Sequence, residues 1–273
     1  MKYIVIKELQ AFLGNVSGYI IMGVFIVLNS LFMWIVPGEN NVLDAGYASL
    51  STMFFLAPWM FLFLIPAIAM RLIAEERKNG TLELLLMRPF SVWQLVISKY
   101  LAAIILIMLS MAPTLIYAIT VGMLSQNSFD LDWGGVWGSY IGLFMLASAY
   151  ASLGLFASTL TDNQVVALLI AIVLCFVAFI GPDALHSLFP TASQSNIINL
   201  GINEHYLSLS RGVVDTRDVV YFICFNLIAL FSAKTIIENK KNSYATMAKP
   251  TTKKPTAYIY TIVLIVLQAC CLV

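Results

Sequence analysis

The sequence predicts an all-α integral membrane protein, and three observations carry that prediction. Hydrophobic residues make up 60% of the chain and charged residues 11%, with a mean hydropathy of +0.90, whereas about a quarter of a soluble domain is charged. Apolar runs of about 20 residues, the length that crosses a hydrocarbon core, recur along the chain. The 15 Lys and Arg residues are gathered almost wholly into three intervals. Only short polar intervals separate the apolar runs, so the 273 residues leave no room for a separate soluble domain.

The elements follow in order. The opening MKYIVIKELQ is interrupted by Lys2, Lys7 and Glu8 too closely for the core of a signal peptide. It reads as a short amphipathic helix lying on the membrane surface. A charge at the centre of a span costs about 2.5–3.5 kcal/mol, and placing span ends by that cost gives six transmembrane helices: 18–36, 54–73, about 99–124, 136–160, 165–180 and 219–237. Pro37-Gly38, Ser91 after Pro89, Asp130 and Asp132, Thr161-Asp162-Asn163, Gly181-Pro182 and Asp218 punctuate them. The intervals 1–17, 71–99 and 234–254 hold 13 of the 15 Lys and Arg residues, and 37–53 and 125–135 hold none. Six alternating spans place all three basic intervals on one side, which the positive-inside rule makes cytoplasmic.

The outer interval 181–217 is too long for a turn. Its apolar groups (Leu185, Leu188, Phe189; Ile197, Ile198, Leu200; Tyr206, Leu207, Leu209) predict short helices resting on, or dipping into, the outer leaflet. The chain therefore divides into a membrane domain over 1–240, a basic cytoplasmic linker over 241–257 and an apolar stretch over 258–273. That last stretch reads either as a seventh, thin or truncated span, or as the core of a secretory-type segment beginning near Met247, with LQAC (267–270) resembling a lipoprotein cleavage box.

Catalytic signatures are missing: there is no GxxxxGK[ST] phosphate loop, no GxSxG elbow and no HExxH. His186 and His205 are the only histidines, and Cys175, Cys224, Cys270 and Cys271 suggest neither a disulfide framework nor a metal site. No catalytic residue, metal ligand or cofactor is assigned to this chain, and a net charge of +1 offers no basic excess for nucleic acid. Ionisable residues in mid-span, the marks of a proton or ion path, are also missing, so the energy source is expected in another chain.

Asn29 and Asn226 are amides at membrane depth, where each needs a hydrogen-bond partner; they read as helix-to-helix contacts or as substrate contacts. Gly134, Gly138 and Gly142 repeat every fourth residue, and Ala147, Ala151, Gly154 and Ser158 continue the small-residue face. Such a stripe lets two backbones approach closely, within the chain or across a dimer. Pro58, Pro66 and Pro113 are expected to bend their helices, as hinges or as packing irregularities. Trp34, Trp59, Trp93, Trp133 and Trp137 lie mostly near span ends, as in an interfacial aromatic belt.

The stretch RLIAEERKNGTLELLLMRPF (71–90) concentrates charge in an apolar chain. Arg71, Glu75, Glu76, Arg77 and Lys78 extend a helix past the membrane, and Asn79-Gly80 ends it. Thr81 is expected to cap a second, two-turn helix that Pro89 stops. Leu82, Leu85 and Leu86 share one side of it, beside the single acid Glu83. Two readings remain for this helix: an ordinary interfacial segment, or a docking element for a cytoplasmic partner with an apolar centre and charged rim.

EERKNGTLELLLMRPFS resembles the E-E-[RK]-x-x-G-T-x-E-x-L-L-x-[RS]-P-[VLF]-S pattern of the permease subunits of type-2 ABC transporters. LFASTLTDNQVVA (155–167) is similar to the family's turn between spans four and five, and EHYLSLSRGVVDTRDVVYF (204–222) to the segment entering its last span. With the opening GYIIMGVFIVLNSLFMWIVPG, the likeness within the family is to gliding-motility-associated, GldF-like members, and it covers roughly residues 1–240. The resemblance implies an export permease in a bacterial inner membrane, N-terminus cytoplasmic. It would pair with a second permease subunit, GldG-like or a copy of itself, and with a separate ABC ATPase that binds ATP and Mg. It implies a coupling helix that meets the ATPase through Glu75, Glu76, Arg77, Gly80, Thr81, Glu83, Leu85 and Leu86, and a re-entrant outer segment between spans five and six. The tail from about Met247 departs from the pattern and is similar to the start of a GldG-like subunit, as in a fused or altered chain. A rival expectation is a membrane anchoring or assembly subunit of a motility or secretion apparatus that transports nothing itself.

Overall fold

The computed structural model describes residues 2–38, 41–45, 49–87, 91–124, 132–188, 201–212 and 214–248, and their side chains except at 17, 45, 86, 185–188 and 242–248. Helices α1 (Lys2–Leu13) and α2 (Val16–Ser30) open the chain, and α2 runs on into a π-helical turn, Leu31–Ile35. A four-residue turn of helix, α3 (Val42–Ala45), precedes α4 (Ser51–Lys78), α5 (Thr81–Leu86) and α6 (Val92–Met111). After these come α7 (Leu115–Leu124), α8 (Trp133–Leu160), α9 (Gln164–Leu188), α10 (Ile202–Ser210) and α11 (Thr216–Ala248).

Among the described residues there is no strand, and six helices are long and apolar enough to cross a membrane: Gly18–Ile35, Ser51–Lys78, Val92–Leu124, Trp133–Leu160, Gln164–Ala184 and Thr216–Lys241. The fold is an all-α integral membrane bundle. The spans begin and end near where charge and turn residues direct, with two departures: the third begins at Val92, seven residues before the expected start at Lys99, and the fifth runs on past its expected end. Helix α9 continues through Gly181-Pro182 to Leu188, although that dipeptide reads as a stop. Proline removes one ladder hydrogen bond, a loss that membrane helices absorb in their surroundings. Pro58 and Pro66 likewise lie inside α4, while Pro113 sits in the 3₁₀ turn Ala112–Thr114 between α6 and α7.

Helix α8 is the axis of the bundle. Over an 18-residue apolar stretch of its span 72% of residues are buried, against 28% and 22% over stretches of the same length in the first and fifth spans. Its small residues explain that position. A Cβ on Gly154 would lie 2.5 Å from the Ala69 Cβ of α4. One turn on, Ser158 Oγ accepts the Ile73 and Ala74 backbone N–H groups at 3.1 and 2.9 Å. Near the other end, a Cβ on Gly138 would meet the Gly212 Cα at 2.6 Å, and one on Gly142 the Leu209 Cβ at 2.9 Å. Gly134 and Gly135 back onto Gly212, whose φ of +87° favours glycine. The glycine stripe thus faces α10 and the turn after it, within one chain.

The two membrane-depth amides also sit between helices. Asn226 Nδ2 donates to Ser148 Oγ at 2.9 Å, and Asn29 Nδ2 donates to the Phe25 carbonyl at 2.8 Å and lies 3.1 Å from Met60 Sδ. Helix α10 returns to α4: the Tyr206 hydroxyl donates to the Phe54 carbonyl at 2.6 Å. That carbonyl is the one an N–H at position 58 would bond in a regular helix, and Pro58 has none. His205 Nδ1 lies 2.7 Å from Asp218 Oδ1 and joins α10 to α11. The apolar groups at 189 and 197–200, and the stretch 258–273, lie outside the described residues. The stretch 241–257 begins as a continuation of α11, which is helical to Ala248.

Candidate functional site

The charged motif forms a corner. Helix α4 ends at Lys78 because Asn79 and Gly80 take over: Gly80 adopts φ +68°, and its N–H donates to the Arg77 carbonyl at 3.0 Å. A Cβ there would meet nothing within 4 Å, so backbone conformation alone favours glycine. Thr81 is the first residue of α5 and not its cap. Its hydroxyl donates back to the Glu76 carbonyl at 3.2 Å and closes the corner.

The leucine face expected on α5 turns inward. Leu82 is buried and Leu85 half-buried, while Leu84 is 66% and Met87 78% exposed beside an exposed Glu83. The side chain of Leu86 lies outside the described residues. The outward apolar surface of the corner therefore belongs to Leu84 and Met87, which the helix count from the sequence did not select.

The acidic and basic residues before the corner diverge as well. Glu75 is half-exposed. Glu76 is buried: its Oε1 lies 3.1 Å from Lys7 Nζ and its Oε2 2.8 Å from Lys99 Nζ. Lys99, fully buried in α6, also lies 3.0 Å from Glu8 Oε1 and donates to the Leu72 carbonyl. Two cations and two carboxylates balance, as buried charge requires, and they tie α4 to α1 and α6. Glu76 thus faces into the protein and is not available to touch a partner directly. Sequence reasoning missed Lys7, Glu8 and Lys99 as members of this cluster. The available signal was that Lys99 sits at the edge of an apolar run, and a cation there must find an acid.

Arg77 turns the opposite way. Its Nε lies 2.6 Å from Asp162 Oδ1, and its Nη1 donates to the Thr159 carbonyl at 2.6 Å. With Ser158 on the backbone of Ile73 and Ala74, the motif at 75–91 and the motif at 155–167 are one structure. The α4–α5 corner is thereby fastened to α1, to α6 and to the turn between α8 and α9. Among the described residues no group of three His, Cys, Asp or Glu side chains could hold a metal ion. What the arrangement can do is mechanical: a displacement of α5 reaches every element pinned to the corner.

Six membrane spans with a charged, ion-paired corner at one end define a multi-pass membrane protein of the transport class. The sequence model of the ABC-2 family transporter proteins matches residues 7–270, and the chain belongs to that family. No curated protein matches the chain. Membership makes it the permease subunit of an ABC transporter, whose partner is an ABC ATPase.

Proposed function

We propose that this chain is an export-type permease of the bacterial inner membrane, with its N-terminus cytoplasmic, and that α5 receives the motion of the ATPase. The observation that carries this reading is the division of the corner: Leu84, Met87 and Glu83 point outward, while Glu76 and Arg77 are bound inward to three other elements. Two exposed apolar side chains with an acidic neighbour suit a small docking surface. The inward ion pairs turn a push on that surface into a movement of the bundle. Glu83 then contacts the ATPase, Gly80 and Thr81 set the angle of α5, and Glu76 and Arg77 act as positioning residues behind it.

The likeness of the three motifs, taken together with the opening stretch 18–38, to gliding-motility permeases supports a GldF-like member of the family, paired with a GldG-like subunit or a second copy. ATP and Mg bind the ATPase, and the cargo passes through the membrane subunits. The test is the Leu84→Asp and Met87→Asp pair of variants, measured for stimulation of the co-purifying ATPase. Loss of stimulation with unchanged membrane insertion and thermal stability is expected. Full stimulation in both variants would remove α5 as the docking element. A stable complex that contains no ATPase would favour the anchoring role instead.

A further inference from the structure

The end of the bundle opposite the corner holds a cavity of about 590 Å³, a size typical of sites for small organic ligands. It lies among the first turns of α4 and α8, the C-terminal half of α9, and α10. Phe54, Trp59 and Phe179 line it, with Trp59 and Phe179 edge to face at 5.5 Å. Asp132, Asp183 and Asn203 also line it, and no basic residue is among the described residues that do. Each carboxylate is held in place. Asp132 Oδ1 accepts the Gly135 N–H at 3.1 Å as the cap of α8, and Asp183 Oδ2 accepts the Asn203 amide at 3.0 Å. A carboxylate has about four lone-pair sites, so both retain capacity for a ligand.

Two fixed negative charges beside an aromatic wall select by charge and by apolarity together. An anion is repelled, a neutral hydrocarbon leaves the carboxylates unanswered, and a cation gains attraction from the carboxylates and from the aromatic lining. We propose that this cavity binds an amphipathic cation, an apolar body carrying a quaternary or protonated amine, with the body against Trp59 and Phe179 and the amine drawn by the carboxylates of Asp132 and Asp183. Binding itself is independent of how α5 meets the ATPase; only transport of such a molecule rests on the permease mechanism above.

The test uses the full chain in nonionic dodecyl maltoside and a diazirine-bearing alkyltrimethylammonium as photolabel. Saturable labelling of peptides around Phe54–Trp59, 179–183 and 203–207 is expected, displaced by dodecyltrimethylammonium and not by laurate. The D132N/D183N variant keeps the helix cap, since Asn caps as well as Asp, and is expected to weaken the apparent affinity at least about tenfold, as loss of one charged contact does. Leu207→Trp, which narrows the cavity without altering charge, is expected to reduce labelling as well and serves if the charge variant fails to fold. Non-saturable labelling spread over the outer faces of α2 and α9, or equal displacement by laurate, would overturn the proposal. Saturable labelling without any change in the co-purified ATPase would uphold the site and count against transport of this ligand class.

Discussion

The two ends of the bundle are closed by different chemistry. At the corner, Lys7, Glu8, Glu76 and Lys99 form one ion cluster, and Arg77 with Asp162 another contact. At the opposite end, α10 is seated on α8 and α4 by neutral close approach, with Gly138 and Gly142 against Gly212 and Leu209 and the Tyr206 hydroxyl on the Phe54 carbonyl, while single polar contacts, His205 to Asp218 and Asn203 to Asp183, tie it to α11 and α9. The attraction between charges falls slowly with distance, whereas close packing loses a quarter to a half of its energy over a gap of about 0.5–1 Å. The ionic end can shift and stay connected; the packed end is in register or it is not. If α5 receives the motion of the ATPase as proposed above, the end that takes force is the one whose chemistry tolerates displacement.

The largest expected effect is at the ionic end. Lys99→Met leaves Glu8 and Glu76 with Lys7 alone. Breaking one side of a buried pair costs about 3–5 kcal/mol, so a large fall in thermal stability in nonionic detergent is expected. Glu76→Gln combined with Lys99→Met removes an acid along with the cation and is expected to recover much of that loss. A single variant as stable as the parent would mean that the cluster contributes nothing.

Next in size is the packed end. Gly138→Val must displace backbone, since its Cβ would lie 2.6 Å from the Gly212 Cα; overpacking of this kind costs about 1–3 kcal/mol. Gly23→Ala is the control. A Cβ there meets nothing within 4 Å, and replacing a mid-helix glycine gains about 0.5–1 kcal/mol. Thermal scans that fail to separate the two variants would show that α10 is not seated on the α8 stripe.

Arg77→Lys sharpens the comparison from the functional side. Lysine keeps the charge but cannot reach Asp162 and the Thr159 carbonyl with one planar group. Asp162 is largely exposed, so the stability cost is expected to stay near about 1 kcal/mol. ATPase stimulation is expected to fall much further than stability, because the variant loosens the corner from the α8–α9 turn. Equal, small losses in both readouts would make Arg77 an ordinary surface contact.

The sequence revealed one kind of information and concealed another. Span positions were readable because hydrocarbon thickness fixes the length of an apolar run, and Gly80 marked the corner because few residues accept its φ. The ion cluster was concealed because Lys7, Glu76 and Lys99 come from three distant segments, and only the packing of α1 against α4 and α6 brings them together. Helical periodicity places Leu82 and Leu85 on one side of α5, but in a six-residue helix only the angle of the corner decides that this side turns inward and leaves Leu84 and Met87 outward. The end of α9 was misplaced because proline ends helices in water more reliably than in a membrane. The partner of Tyr206 was hidden in the same proline chemistry, since a missing N–H at Pro58 says which carbonyl is left over but not what will take it.

That leftover carbonyl gives the smallest and cleanest prediction. Tyr206→Phe keeps the ring and deletes the donor, leaving Phe54 C=O without either the hydroxyl or an N–H from position 58. A net hydrogen bond contributes about 0.5–1.5 kcal/mol, so a modest fall in thermal stability is expected. Burial pushes the Tyr206 phenol far above its usual range, so it stays a protonated donor and the effect is expected to be the same from pH 6 to pH 9. Pro58→Ala supplies the test of cause: alanine restores the N–H that an α-helix directs at Phe54 C=O. In that background Tyr206→Phe is expected to cost clearly less than in the parent, because the carbonyl now has a second donor. An unchanged cost would mean that Tyr206 contributes through its ring packing against α8 and not through the carbonyl that Pro58 leaves open.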